Sequence, residues 1–215
     1  MSEKILITGG SSKIGLELKK LISKKNIIYS PNRKEWDFNN IENIKTKKKL
    51  IISCNKIIIL HSVIDNKSHL KKKYKEILNQ INVNLLSIIE ICEIALNHNP
   101  NVKILIMGSE SGLKGSFDLV YALTKSSIHK YVEERKILKK KQQLICLAPS
   151  TIMDAGITLR RRDHYNILKS INKNPKKRGL KSKEVSKIIF TLMFKLTDYI
   201  TNTVIHVNGG KFSRM

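Results

Sequence analysis

The sequence predicts an α/β protein of the Rossmann type, a doubly wound parallel sheet in a three-layer α/β/α arrangement, folded as a single domain over residues 1–215. Three observations carry this. Short runs that are apolar throughout alternate with longer segments of helical spacing, the pattern of strands covered on both faces. The first run ends in a glycine-rich turn that opens directly onto a helical segment. A length of 215 residues fills one well-packed core without requiring a second.

The elements follow in order. Residues 4–7 form the first strand, and Thr8-Gly9-Gly10-Ser11-Ser12 the turn after it. Ile14, Leu18, Leu21 and Ile22 then recur at three- and four-residue spacing, as one helix face does. Ile27–Tyr29 reads as the second strand, closed by Pro31, so that strand, turn, helix and strand fit the ~30 residues of one βαβ unit. Trp36-Asp37-Phe38 is expected as a very short strand, 41–52 as a helix and 57–60 as a buried strand. Ile77, Ile81, Leu85, Ile88, Ile89 and Cys92 predict a long helix over 70–96, ended before Pro100. Then come a strand at 102–107, a helix at 121–138, a strand at 144–147, a helix at 183–196 and a last strand at 204–207. The stretch 151–181 is irregular and polar, and is expected to be a mobile lid over a substrate.

Composition narrows the classes. No signal peptide is expected, because the chain reaches Thr8-Gly9-Gly10 after three apolar residues. No apolar run approaches the ~20 residues of a membrane span. Cys54, Cys92 and Cys146 lie far apart in apolar stretches, without metal-ligand spacing, which fits reduced, buried thiols in a cytoplasmic protein and predicts no metal. The net charge of +24 is spread along the whole chain, and Ile, Asn and Lys, which share A/T-rich codons, are abundant together. A solvated basic surface is therefore preferred to nucleic-acid binding, and no aromatic stacking platform supports the latter.

A pyrophosphate needs backbone N–H donors at a helix N-terminus and no side chain in its way. Thr8, Gly9, Gly10, Ser11, Ser12, Lys13, Ile14 and Gly15 stand in that context, after a strand and at the start of a helix. After the second strand come Ser30, Pro31, Asn32 and Arg33, with no carboxylate before Glu35. A basic residue there favours the phosphate of NADP, whereas an acidic one would bond the ribose of NAD. NADP is therefore expected, with NAD as the other choice.

Hydride transfer to a carbonyl requires a proton donor whose pKa suits neutral pH, and a free tyrosine has a pKa of ~10. Tyr121 and Lys125 are four positions apart, one helical turn, so the ammonium is placed to favour the phenolate. Upstream, the strand at 102–107 breaks into Gly108-Ser109-Glu110-Ser111-Gly112, a small polar loop at its carboxyl end, where ligands of open α/β sheets bind. A serine there, Ser109 or Ser111, is placed to hydrogen-bond a carbonyl oxygen.

These features resemble the short-chain dehydrogenase/reductase family over most of the chain, in a layout similar to the 3-oxoacyl-carrier-protein reductases. Thr8 to Gly15 resembles its Thr-Gly-x-x-x-Gly-x-Gly turn, with Lys13 in place of the middle glycine. The resemblance implies Tyr121, Lys125 and Ser109 as catalytic, and Asn84 (with Asn82 as its rival) as the asparagine holding a relay water to the lysine. It implies that Asp37 contacts the adenine and that Pro149 and Ile152 lie beside the cofactor. Leu60-His61-Ser62-Val63 stands where the family has Asn-Asn-Ala-Gly; His61 either replaces an asparagine bond beside the cofactor or is a core histidine. Ser150 replaces the glycine after Pro149, and the chain is short between Ile28 and Ile57, as if the helix after the second strand were missing. The function implied is an NAD(P)-dependent oxidoreductase acting on a small carbonyl or alcohol and forming a homodimer or homotetramer. Arg160, Arg161, Arg162, His164, Lys173, Lys176, Lys177 and Arg178 in the lid suit an anionic substrate. The rival reading is a catalytically degenerate dinucleotide sensor or scaffold.

Overall fold

The computed structural model describes residues 2–65, 71–161 and 163–211, with every side chain among them except those of His164 and Ser170. Leu70, the first residue of the predicted long helix, and Arg162 of the predicted lid lie outside the described residues, as does the side chain of His164. Six strands, β1 (Lys4–Thr8), β2 (Ile27–Tyr29), β3 (Lys56–Ile59), β4 (Lys103–Met107), β5 (Gln143–Pro149) and β6 (Thr203–Val207), form one sheet in the order β2-β1-β3-β4-β5-β6. All five pairings are parallel. Since strands alternate their side chains between faces, each run of apolar residues feeds two cores. Leu6, Ile57, Ile59, Ile104, Ile106 and Cys146 point into one cluster, and Ile5, Ile7, Ile58, Leu105 and Met107 into the other.

The first cluster is covered by α2 (Ile41–Lys45), α3 (Lys48–Ser53), α5 (Ser87–His98) and α7 (Leu119–Glu134). The second is covered by α1 (Lys13–Leu21) and α10 (Ser182–Phe194). This is the predicted Rossmann-type arrangement. The order β2-β1-β3 means that the chain leaves β1 in one direction and returns on its other side. A crevice therefore opens above the carboxyl ends of β1 and β3, the usual ligand position in open α/β sheets.

Several elements differ from expectation, each for a local reason. Trp36-Asp37-Phe38 is not a strand: the Trp36 N–H bonds Asn32 O at 3.0 Å in a turn, and the indole fills the core beside Ile44 and Ile51. The helix predicted over 41–52 is two short ones, so the place expected to lack a helix holds α2 and α3. Their break lies at Thr46, whose N–H and hydroxyl close back on Glu42 and Asn43. The long helix consists of α4 (Tyr74–Ile81), a π-helical turn (Asn82–Leu86) and α5. By length and composition, Tyr74–His98 is apolar enough to cross a membrane. Within α5, however, the apolar face is committed to the sheet, with Ile88, Ile91, Cys92 and Ala95 fully buried, whereas Tyr74, Leu78 and Leu86 are exposed. α7 stops before the predicted 138, because Asn202 Nδ2 takes the carbonyls of Val132 (2.9 Å) and Arg135 (2.6 Å).

The stretch 151–181 is not irregular throughout. It contains α8 (Gly156–Leu159) and α9 (His164–Asn172), and its two ends are joined by a parallel bridge between Ile152 and Leu180.

Candidate active site

A cleft of about 990 Å³ runs across the carboxyl ends of the strands. Its first wall is the turn between β1 and α1. Gly9 has φ +67°, and a Cβ there would lie 2.7 Å from the backbone nitrogen of His61, so the turn can lie against the end of β3 only with glycine at this position. A Cβ on Gly15 would come 2.5 Å from Gly10 Cα, so the helix can start this close to the turn only without a side chain. Ser12 caps α1, its hydroxyl accepting the Gly15 N–H at 3.2 Å. Gly9, Ser11, Ser12, Lys13 and Ile14 line the cleft, whereas Thr8, Gly10 and Gly15 shape the turn from behind. Arg33, Asp37, Pro149 and Ile152 also line it. Lys13 reaches across the mouth to Asp154, Nζ to Oδ2 3.1 Å.

The second wall carries Tyr121, Lys125 and Ser109. α7 presents Tyr121 and Lys125 one turn apart, 7% and 1% exposed. Ser109, just after β4, and Ser62, after β3, face the Tyr121 hydroxyl in the cleft and favour its ionised form. Lys125 Nζ lies 5.6 Å from the Tyr121 ring centre and donates to Met107 O at 2.8 Å. Ser111 begins the short α6 (Ser111–Lys114) and gives its N–H to Ser109 Oγ at 3.1 Å.

The electrostatics differ from the expected lowering of the phenol. Burial pushes the Tyr121 phenol above its ordinary value, outweighing the opposing effect of Ser109 and Ser62. Burial also brings Lys125 down to about 8, so the ammonium is only moderately favoured near neutrality. Desolvation thus outweighs every group that favours the phenolate.

Asn84, fully buried on the π-helical turn, exchanges two bonds with the Val63 backbone, accepting its N–H and donating to its carbonyl, each 2.8 Å. It also accepts from the Ser62 hydroxyl at 3.0 Å, and so holds the segment from which Ser62 reaches Tyr121. Its rival Asn82 bonds Asn39 instead. His61 lines the cleft but is knitted into the fold: Nδ1 meets Thr8 Oγ1 at 2.7 Å, Nε2 meets Ser87 Oγ at 3.0 Å, and the ring stacks on Phe38 at 3.8 Å. Burial drives its pKa down to about 3, so the ring is neutral.

Sequence reading missed Ser62, Asp118 and Asp154. Asp118 carried a usable signal, since an aspartate just before a helical run is a common N-cap. It caps α7 by accepting the Tyr121 N–H at 3.2 Å. Ser62 and Asp154 acquire their roles only from contacts distant in sequence.

No protein-family model matches the chain, and no curated protein matches it by sequence. Solved structures do match it in three dimensions. A short chain dehydrogenase family protein from Francisella tularensis has a TM-score of 0.82 at 17% identity, covering 98% of this chain and 99% of its own. The ligand-free aldohexose dehydrogenase of Thermoplasma acidophilum has a TM-score of 0.82 at 17% identity, covering 98% and 94%. A small-chain dehydrogenase solved in complex with NADPH has a TM-score of 0.84 at 14% identity, covering 98% and 99%. The chain has the fold of the short-chain dehydrogenase/reductases.

Proposed function

We propose that this protein is an NADP(H)-dependent oxidoreductase of the short-chain dehydrogenase/reductase type, interconverting a small carbonyl compound and its alcohol. The observation that carries the reading is convergence. Tyr121, Lys125 and Ser109 meet at the end of β4 in the same cleft that is walled by Gly9 and Ser11 to Ile14. The glycine cradle, the helix N-terminus and the cleft volume of about 990 Å³ fit a dinucleotide. Gly9, Ser11, Ser12, Lys13 and Ile14 would hold its phosphates, Asp37 its adenine end, and Lys125, Pro149 and Ile152 its nicotinamide end. When bound, that group supplies or accepts the hydride.

The chain's own residues handle the proton. The Ser109 hydroxyl donates to the substrate oxygen, and Tyr121 gives that oxygen its proton during reduction. A phenol raised by burial stays protonated at neutral pH, which suits a donor. Lys125, still mostly cationic at neutrality, stabilises the phenolate left behind.

Arg33 supports NADP(H) over NAD(H). It lines the cleft, while the nearby acid Glu35 turns back to accept the Asn32 N–H at 2.7 Å. Lys114, paired with Glu110 at 3.0 Å, Arg161, paired with Asp163 at 2.5 Å, and Arg160 line the cleft, and this excess of cations supports an anionic substrate. Leu119 and Leu123 on α7, both exposed, support assembly through that helix into a homodimer or homotetramer.

The test is a fluorescence titration with NADPH and NADH, followed by turnover on a panel of carbonyls. Tyr121→Phe is expected to abolish turnover and leave dinucleotide binding within about threefold. Undiminished turnover in that variant would remove Tyr121 from the mechanism.

A further inference from the structure

Among the described residues, the carboxylate of Asp118 collects four donors from three parts of the chain. Oδ1 accepts the Tyr121 N–H at 3.2 Å and Lys72 Nζ at 2.5 Å. Oδ2 accepts Gln80 Nε2 at 2.7 Å and the Asp65 N–H at 3.0 Å. Lys72 also donates to Gln80. The side chains of Lys72 and Asp118 are both 0% exposed. Replacing a buried ion pair by apolar residues of similar volume often costs nothing or stabilises, so stability alone does not account for this one.

Its position points to another role. Asp118 is the N-cap of the helix that carries Tyr121, three residues before it. Through Asp65 it also holds the segment after β3, which Asn84 pins at Val63 and from which Ser62 reaches the phenol. One carboxylate thus couples the helix bearing the phenol to the strand end whose Ser62 faces it.

We propose that the Lys72–Asp118 pair is a positioning device for Tyr121, and that Lys72 cancels the charge of Asp118 so that the phenol can release its proton. The mechanistic consequence rests on the acid–base role of Tyr121 given above. The groups facing the phenol are Ser109 after β4, Ser62 after β3, Arg161 after α8, and Lys125 and Asp118 on its own helix. Arg161 favours the phenolate, and Asp118 opposes it. Burial works against ionisation of Asp118, but the bonds from Lys72, Gln80 and the two backbone N–H groups outweigh it and hold the carboxyl below its ordinary value. Its negative charge is therefore present throughout the neutral range. Lys72 is the cation that meets it directly.

The experiment is a ¹³C NMR titration of the full chain labelled at tyrosine Cζ, with Tyr121→Phe identifying the Tyr121 resonance. Lys72→Met leaves Asp118 unbalanced and is expected to move the Tyr121 titration to alkaline pH by about one unit. Asp118→Asn keeps a competent N-cap, removes the negative charge and is expected to move it to acid pH. The double variant Asp118→Asn/Lys72→Met is expected to return close to wild type. Should Lys72→Met fail to fold, Asp118→Asn and the double variant carry the comparison. Equal titrations in all folded variants, or shifts of the same sign in both single variants, would overturn the proposal. Because no turnover is needed, a failure of the catalytic reading, seen as full activity in Tyr121→Phe, is recognised separately. In an active enzyme, the pH profile of kcat/KM is expected to move with the NMR titration.

Discussion

Lys13 Nζ stands 3.1 Å from Asp154 Oδ2, tying the first turn of α1 to the segment after β5 across the mouth of the cleft. The two ends of this pair have different worth. Lys13 is 55% exposed, and an exposed ion pair contributes about 0–1 kcal/mol. Asp154 also accepts the Ser182 N–H at 2.7 Å and the Ser182 hydroxyl at 2.9 Å, capping the start of α10. Asp154→Ala is therefore expected to cost about 1 kcal/mol more than Lys13→Ala, read by urea denaturation. Burial opposes ionisation of Asp154, but the Ser182 and Lys13 bonds outweigh it and lower its pKa. That stabilisation is present above the carboxyl's unfolded value and disappears as pH falls through the folded one.

Two neutral histidines make the fold acid-sensitive. Burial, reinforced by the Lys125 charge, brings His61 to about 3; burial, His206 and Lys125 bring His129 to about 4. Both folded values lie below the ordinary 6.5, so the unfolded chain binds more protons and stability falls as pH drops below that value. Each histidine is expected to contribute a slope of about 1.4 kcal/mol per pH unit between pH ~6 and ~4. Denaturation midpoints at pH 7, 6 and 5 measure it. His61→Asn is expected to remove about half of the slope, and an unchanged slope would contradict the assignment.

Gly9→Ala and Gly115→Ala separate backbone strain from collision. Both residues have positive φ, +67° and +88°, but a Cβ on Gly115 meets nothing within 4 Å while one on Gly9 strikes the backbone of His61 and Leu60. Gly115→Ala is expected to cost about 1–3 kcal/mol, from conformation alone, since φ +88° with ψ 177° lies in a region open essentially to glycine only. Gly9→Ala is expected to cost about 1–3 kcal/mol more and to weaken dinucleotide binding at least tenfold, because the turn must move off the end of β3. Thermal denaturation and a fluorescence titration report the two effects.

Cofactor choice is tested at Arg33. A charge-assisted hydrogen bond is worth about 1.5–3 kcal/mol. Arg33→Ala is therefore expected to raise the Kd for NADPH by about tenfold or more and leave that for NADH nearly unchanged. Equal losses for both cofactors would place Arg33 away from the distinguishing phosphate.

Local pattern was enough for what depends on near neighbours. The apolar runs at β1, β3, β4 and β5 announced a parallel sheet, because a strand buried on both faces has no polar alternation to hide. The one-turn spacing of Tyr121 and Lys125 placed both on one helix face before any fold was known. Trp36-Asp37-Phe38 misled for the same local reason: its apolar residues look like a strand, but they serve a core built from α2 and α3.

The sequence by itself therefore determined the layering of the sheet, the glycine turn and the tyrosine–lysine pair, since all three follow from periodicity, backbone sterics and the geometry of one helical turn. Only the tertiary structure decided which groups surround the phenol. Ser62 and Ser109 come from the ends of different strands, and Lys72 meets Asp118 across 46 positions of chain. The direction of the Tyr121 shift was settled there too, because desolvation depends on everything packed around the ring, whereas the lysine's attraction could be read from four residues of sequence.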